Sequence, residues 1–418
     1  MNRRVLVLSY IMTVWFVISF VTNLIGPLMP IIIRDFDLSL ALAGFLPFSF
    51  FLAYGLVSIP AGALVEARGV RTTLIAAFVL NLAGCLAISV LPRYDVVVGG
   101  LFVIGVGMAM LQVVINPLTR STGGETRFAF FSVMGQLVFG LASFVSPLVF
   151  SAMMERPGAE QQPLVWVAFY VAFCVIFVCL IAGTVFLPIQ HVELDASERH
   201  GSFATYRALL GQRDVRLFFL GIVAYVGTEQ SLANWMSQFL STYHLYSPTT
   251  DGASAVARFW GLMSAGCVVG LVLLRLFDSK AVLAVFTTCA IGCFALALFG
   301  PARASLLAFP VCGFLLSVMY PIVFSLGLNS LKDNHGALSG ILCTGILGGA
   351  VVPLLVGVLG DQVGLRVAML VVFATLGYIL SVSWWAQPLV RNETVPLREL
   401  LGRSRSAKSA ANTSAKST

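Results

Sequence analysis

The feature that most constrains this chain is a succession of apolar stretches, each about as long as a bilayer is thick, parted by short polar breaks. A helix of about 20 apolar residues crosses the hydrocarbon core, and inside it every backbone N–H and C=O must be paired within the span. Twelve such stretches can be drawn, over 5–33, 41–66, 72–91, 95–119, 127–153, 164–188, 215–244, 255–277, 281–300, 305–330, 337–360 and 364–386. Composition agrees: 59% of the 418 residues are hydrophobic and 10% charged, where a soluble domain carries about 25% charged residues. That balance excludes a water-soluble enzyme. The expected fold class is all-α, a polytopic membrane protein of twelve transmembrane helices.

The first stretch follows Arg3 and Arg4 and runs on to about Ile33, far beyond the apolar region of a signal peptide, so it reads as an uncleaved span. The longest interior break, 189–214, holds Glu193, Asp195, Glu198, Arg199, Arg207, Arg213 and Asp214. It divides the chain in two. The expected organisation is an N-terminal six-helix bundle over 1–188, a cytoplasmic linker over 189–214, a C-terminal six-helix bundle over 215–390, and a disordered basic cytoplasmic tail over 391–418.

A net charge of +7 in a soluble protein would suggest nucleic acid, but here it encodes orientation. Of the 25 Lys and Arg residues, 19 fall on the side shared by the two termini and six on the other. Basic excess marks the cytoplasmic side. The chain is therefore expected in the plasma membrane, the inner membrane of a bacterium, with both termini cytoplasmic. It should be a monomer in the lipid bilayer, without a nucleic-acid partner. All eight cysteines lie within apolar runs, which leaves no disulfide framework for the external loops. Cys289 and Cys293 share a helical face, yet no histidine lies in that span to complete a soft-metal site.

Sorting the 18 acids by loop leaves one inside a span, Glu229. No Lys, Arg or His accompanies it at that depth. A charged group there costs about 2.5–3.5 kcal/mol even on a lenient insertion scale. It must be protonated, bind a cation or face a wet cavity, and each state suits cation-coupled transport; the alternative is a neutral Glu hydrogen-bonded to a neighbouring helix. The stretch Tyr225-Val-Gly-Thr-Glu229-Gln230-Ser231-Leu-Ala-Asn234-Trp235 is the densest polar segment of any span. Gln230, Asn234 and Trp235 offer the donors, acceptors and stacking face that a sugar requires. Asn23, Gln112, Asn116, Gln136 and Tyr320, from other spans at comparable depth, would complete a midplane pocket. For each amide the alternative is interhelical hydrogen bonding.

No lysine follows a glycine, so there is no phosphate-cradling loop for ATP. The energy source is then an ion gradient or the substrate's own gradient, and no cofactor is expected beyond a coupling ion, H⁺ or Na⁺, the latter with Glu229 as a ligand. A pocket without cations argues against carboxylate or phosphate substrates. The halves also echo each other: Asn116-Pro117 and Tyr320-Pro321 are 204 residues apart, Pro147 and Pro353 are 206 apart, and the latter offset carries Asn23 to Glu229. Such a repeat is the mark of transporters built from two similar six-helix halves.

Between the second and third stretches the chain reads Gly62-Ala-Leu64-Val-Glu66-Ala-Arg68-Gly69-Val-Arg71. This resembles the signature cytoplasmic loop of the major facilitator superfamily, with Glu in place of its usual Asp. The resemblance implies a gating role for Gly62, Glu66, Arg68, Gly69 and Arg71. A shorter echo, Arg275-Leu-Phe-Asp278-Ser-Lys280, lies between the eighth and ninth. Over essentially all twelve stretches the chain is similar to the fucose/hexose (glucose/galactose) symporters of that superfamily. The likeness rests on Asn23, Gln112-Val-Val-Ile-Asn116-Pro117, Tyr225-Val-Gly-Thr-Glu229, Met319-Tyr320-Pro321 and Gly348-Gly349-Ala-Val-Val-Pro353. Two departures stand out. Fucose-type members carry acids where this chain has Gly26 and Gln112, which leaves Glu229 as the candidate for coupling.

The expected function is uptake of a neutral, hexose-like monosaccharide by symport with a cation through alternating access. The rival is a major facilitator multidrug or cation exporter, in which Glu229 would attract lipophilic cations. A non-transporting sensor or assembly protein is the third reading, and it would call for a soluble module.

Overall fold

The computed structural model describes residues 3–123, 128–156, 162–186, 203–331 and 335–389. The expected tail over 391–418 and most of the 189–214 linker lie outside them. Within the described residues the chain is helical, without strands, and eleven helices are long and apolar enough to cross a membrane. They run from Arg4–Phe36 to Leu365–Trp385. The twelfth, Arg213–His244, spans 32 residues, about 48 Å at 1.5 Å per residue, and is long enough. It is absent from the apolar set because its middle is polar. We number it the seventh span in chain order.

Two spans are interrupted where a proline explains the break. The first consists of Arg3–Asn23 and Ile25–Phe36. Pro27 has no N–H to offer the Asn23 carbonyl one turn back, so the helix breaks there. The tenth consists of Ala302–Leu316 and Met319–Leu328; Pro321 likewise releases the Ser317 carbonyl, which Cys267 Sγ of the eighth span approaches at 3.6 Å. The second and third spans, Leu40–Val65 and Ala67–Val90, follow one another with a reversal at Gly69. Its φ of 77° lies in the left-handed region, which glycine enters without steric cost. The region read as a plain linker contains a helix, Phe203–Gly211, whose Tyr206 is buried beside Gly340 of the eleventh span.

The two sets of six meet along seams that are close at the end opposite residues 3 and 389. A Cβ at Gly26 of the first span would stand 2.5 Å from the Ala233 carbonyl oxygen of the seventh. A Cβ at Gly357 of the eleventh would stand 2.5 Å from the Leu40 carbonyl oxygen of the second. Only glycine permits backbones this close. At the rim of the same seam, both carboxylate oxygens of Asp361 accept backbone N–H bonds across the halves, from Leu40 and from Ala41, each at 2.7 Å. These are free donors of a helix's first turn, where a carboxylate is favoured by hydrogen bonding and by the helix dipole.

Candidate functional site

Glu229 lies sixteen residues after Arg213 and fifteen before His244, at the middle of the seventh span. Residues four apart share a helix face and neighbours differ by about 100°. The polar segment therefore divides into two faces, Tyr225 with Glu229 and Gln230 with Asn234. The structure gives these faces different surroundings.

The Glu229 face looks into the C-terminal half. Glu229 is partly exposed whereas Thr228 and Gln230 on either side are buried. Its carboxylate makes no hydrogen bond and no ion pair with the described residues. Tyr225, Cys267 of the eighth span and Tyr320 of the tenth lie within electrostatic reach of it. The rings of Tyr225 and Tyr320 stand 5.6 Å apart at 53°, and Phe324 stacks on Tyr320 at 5.6 Å and 24°. Cys343 of the eleventh span sits against Tyr320. The break before Pro321 places Tyr320 in the first turn of the tenth span's second segment, opposite Tyr225. Tyr225, Cys267 and Cys343 were not among the residues expected from sequence. Tyr225 could have been, because it stands one turn before Glu229.

The Gln230 face looks to the seam. Asn234 Nδ2 donates to Gln230 Oε1 at 3.5 Å, and both amides are buried. Gly349 of the eleventh span lies between the Gln230 side chain and Phe51 of the second, and Gly26 of the first lies beside Asn234 Oδ1. The pair thus stands where spans from both halves converge. Trp235 presents no stacking face here. It is fully buried, and its indole N–H is donated to the Pro353 carbonyl at 3.0 Å, seating the seventh span on the eleventh.

Of the residues expected from the N-terminal half, Asn23 is buried in a serine network with the fifth span. Its Nδ2 donates to the Ser19 carbonyl at 2.9 Å and to Ser143 Oγ at 3.0 Å. Gln112 is partly exposed and makes no hydrogen bond with the described residues. The side chains of Asn116, Gln136 and Glu66 lie outside what is described. Of the loop residues, Gly62 is buried at the end of the second span and Gly69 makes the turn. Arg68 is exposed, and Arg71 donates to the Val185 carbonyl at the end of the sixth span, where a cation complements the helix dipole. Among the described residues no three His, Cys, Asp or Glu side chains gather as a metal site would require.

Twelve helices in two sets of six, with one carboxylate at mid-depth, define a polytopic helical membrane protein of the kind that moves small solutes. The model of the Major Facilitator Superfamily matches residues 11–346, and the chain belongs to that superfamily. It is 29% identical over 385 residues to a glucose/galactose transporter of Brucella abortus, covering 89% of this chain and 92% of the relative. It is 24% identical over 381 residues to the L-fucose-proton symporter of Escherichia coli, covering 84% and 86%. In structure it resembles that bacterium's fucose:proton symporter, with a TM-score of 0.65 at 20% identity over 92% of this chain and 100% of the other. It also resembles a bacterial homologue of the human lysosomal transporter Spinster, with a TM-score of 0.74 at 13% identity over 92% and 97%.

Proposed function

We propose that the chain is a secondary active transporter that takes up a neutral, hexose-like monosaccharide by symport with a cation, H⁺ or Na⁺. The observation that carries the coupling is Glu229, mid-span, partly exposed and without a partner among the described residues. A cation arriving there neutralises the carboxylate and lowers the cost of moving the loaded site through a closed intermediate. The amides of Gln230 and Asn234, at the convergence of both halves, supply the donors and acceptors for sugar hydroxyls. The names of the relatives, glucose/galactose transporter and fucose-proton symporter, support a sugar as the substrate.

The seams support alternating access. With the excess of Lys and Arg placing the termini in the cytoplasm, the Asp361 clamp lies at the external rim, and this state is closed to the outside there. Opening requires Asp361 to release Leu40 and Ala41 to water. Counterflow of labelled hexoses in liposomes, with and without imposed Na⁺ and H⁺ gradients, tests the reading. Hexose exchange accelerated by one of the two ions supports it, and exchange of lipophilic cations in place of hexoses would favour the exporter.

A further inference from the structure

Glu229 has no cationic partner among the described residues, yet the groups around it suit a cation. We propose, resting on the monosaccharide reading above, that the site also takes an amino sugar, with the protonated primary amine held between the Glu229 carboxylate and the rings of Tyr225 and Tyr320. The two rings stand 5.6 Å apart at 53° and so form two angled walls, one of them fixed by the Phe324 stack. An ammonium is attracted to an aromatic face within about 6 Å of its centre. Tyr225 stands one turn from Glu229, which puts their Cβ atoms about 5–6 Å apart, so one bound ammonium can touch both. Its three N–H groups make charge-assisted bonds to the carboxylate, which are shorter and stronger than neutral ones.

Nothing cationic in the described spans competes for this place at that depth. Arg258 and Arg275 lie near the two ends of the eighth span, and Arg366 is the second residue of Leu365–Ala368. The difference between a hexose and its amino derivative is then a difference in coupling. A neutral hexose leaves Glu229 to be neutralised by H⁺ or Na⁺, whereas an amino sugar brings the neutralising charge itself. The ion and the ammonium exclude each other from the carboxylate, and each carries one positive charge inward with the sugar.

The test uses the purified full-length protein with D-glucose and D-glucosamine as a matched pair, a hydroxyl in one standing where the other has an ammonium. By direct titration without Na⁺, at a pH where the amine is protonated, glucosamine should bind about tenfold tighter or more, the yield of one added charge-assisted contact. In Glu229→Gln the glucosamine-to-glucose ratio should fall to one or below, and in Tyr320→Leu it should fall part of the way. In liposomes with an inside-negative potential both sugars should accumulate, but raising the concentration of the coupling ion should speed glucose uptake and slow that of glucosamine. Hexose binding without an amine preference, or a preference that survives Glu229→Gln, overturns this proposal and leaves the monosaccharide reading standing. Binding of neither sugar overturns both. If Glu229→Gln does not fold, the wild-type pair and the opposite effects of the ion on their uptake decide alone.

Discussion

Asn23 and Glu229 occupy corresponding places in the two halves, 206 residues apart, and the structure treats them in opposite ways. Asn23 is enclosed: Ser19 and Ser143 receive its amide, Ser19 Oγ in turn donates to the Phe139 carbonyl at 2.6 Å, and Ser146 Oγ reaches the Phe20 carbonyl at 2.9 Å. The first and fifth spans are thereby joined by hydrogen bonds of Ser19, Asn23, Ser143 and Ser146. Glu229 has no partner among the described residues, although its own helix is fastened on both sides by Thr228 to Thr375 of the twelfth span at 2.6 Å and by Trp235 to Pro353. A fastened helix bearing such a carboxylate is the arrangement that the proposed coupling requires. Under the proposed function, ion dependence belongs to the C-terminal half, while the polar side chains around Asn23 serve packing.

The most direct way to break that comparison is Glu229→Gln. Uphill accumulation of sugar should be lost while exchange across equal ion concentrations continues, measured as uptake against a gradient and as counterflow in the same liposomes. Wild-type accumulation in the mutant would remove coupling from this residue. Next in size is Asp361→Ala, which strips the cap from Leu40 and Ala41. Losing such a cap costs about 0.5–2 kcal/mol, so the population open at that rim should rise about two- to thirtyfold. The rate at which an impermeant maleimide labels Leu354→Cys, whose native side chain packs against Gly44, should rise accordingly. No change in rate would mean that the clamp does not hold the seam.

Two amides of the N-terminal half sharpen the contrast further. Asn23→Ala removes the amide's bonds to the Ser19 carbonyl and to Ser143 Oγ and should lower stability by about 1–3 kcal/mol, visible as a lower melting temperature with or without sugar. Gln112→Ala breaks no described bond and should leave the melting temperature unchanged while weakening sugar binding by roughly tenfold. If the two variants behave alike, the division between frame and pocket fails. The smallest effect is expected from Thr375→Val, which removes one hydroxyl pair between the seventh and twelfth spans. It should cost about 0.5–1.5 kcal/mol, with the ratio of accumulation to exchange unaltered.

What could be read from residues alone divides along physical lines. Span lengths and the reversal at Gly69 follow from local pattern, and so does Glu229, because a mid-membrane acid is conspicuous by cost. The break after Asn23 was available from Pro27 and was not read. The partners of Asn23 and Trp235 could not be read, because they come from residues 120 and 118 positions away, and an amide or indole gives no local sign of whether it will meet a ligand or a carbonyl. Cys267 and Cys343 could not be singled out for the same reason: a thiol in an apolar run has no signature until a carboxylate or a phenol is found beside it.

The polarity of the seventh span also bears on how the protein is made. A helix carrying Glu229, Gln230, Asn234 and Gln238 partitions into lipid poorly on its own as it leaves the ribosome. It is held in the bundle by the eleventh and twelfth spans, through the Trp235 bond to Pro353 and the Thr228 bond to Thr375, whose partners are synthesised 118 and 147 residues later. The C-terminal half is therefore committed to the membrane out of chain order, and a nascent chain stopped before Gly348 should leave residues 213–244 open to a water-soluble thiol or glycosylation probe that the finished protein excludes.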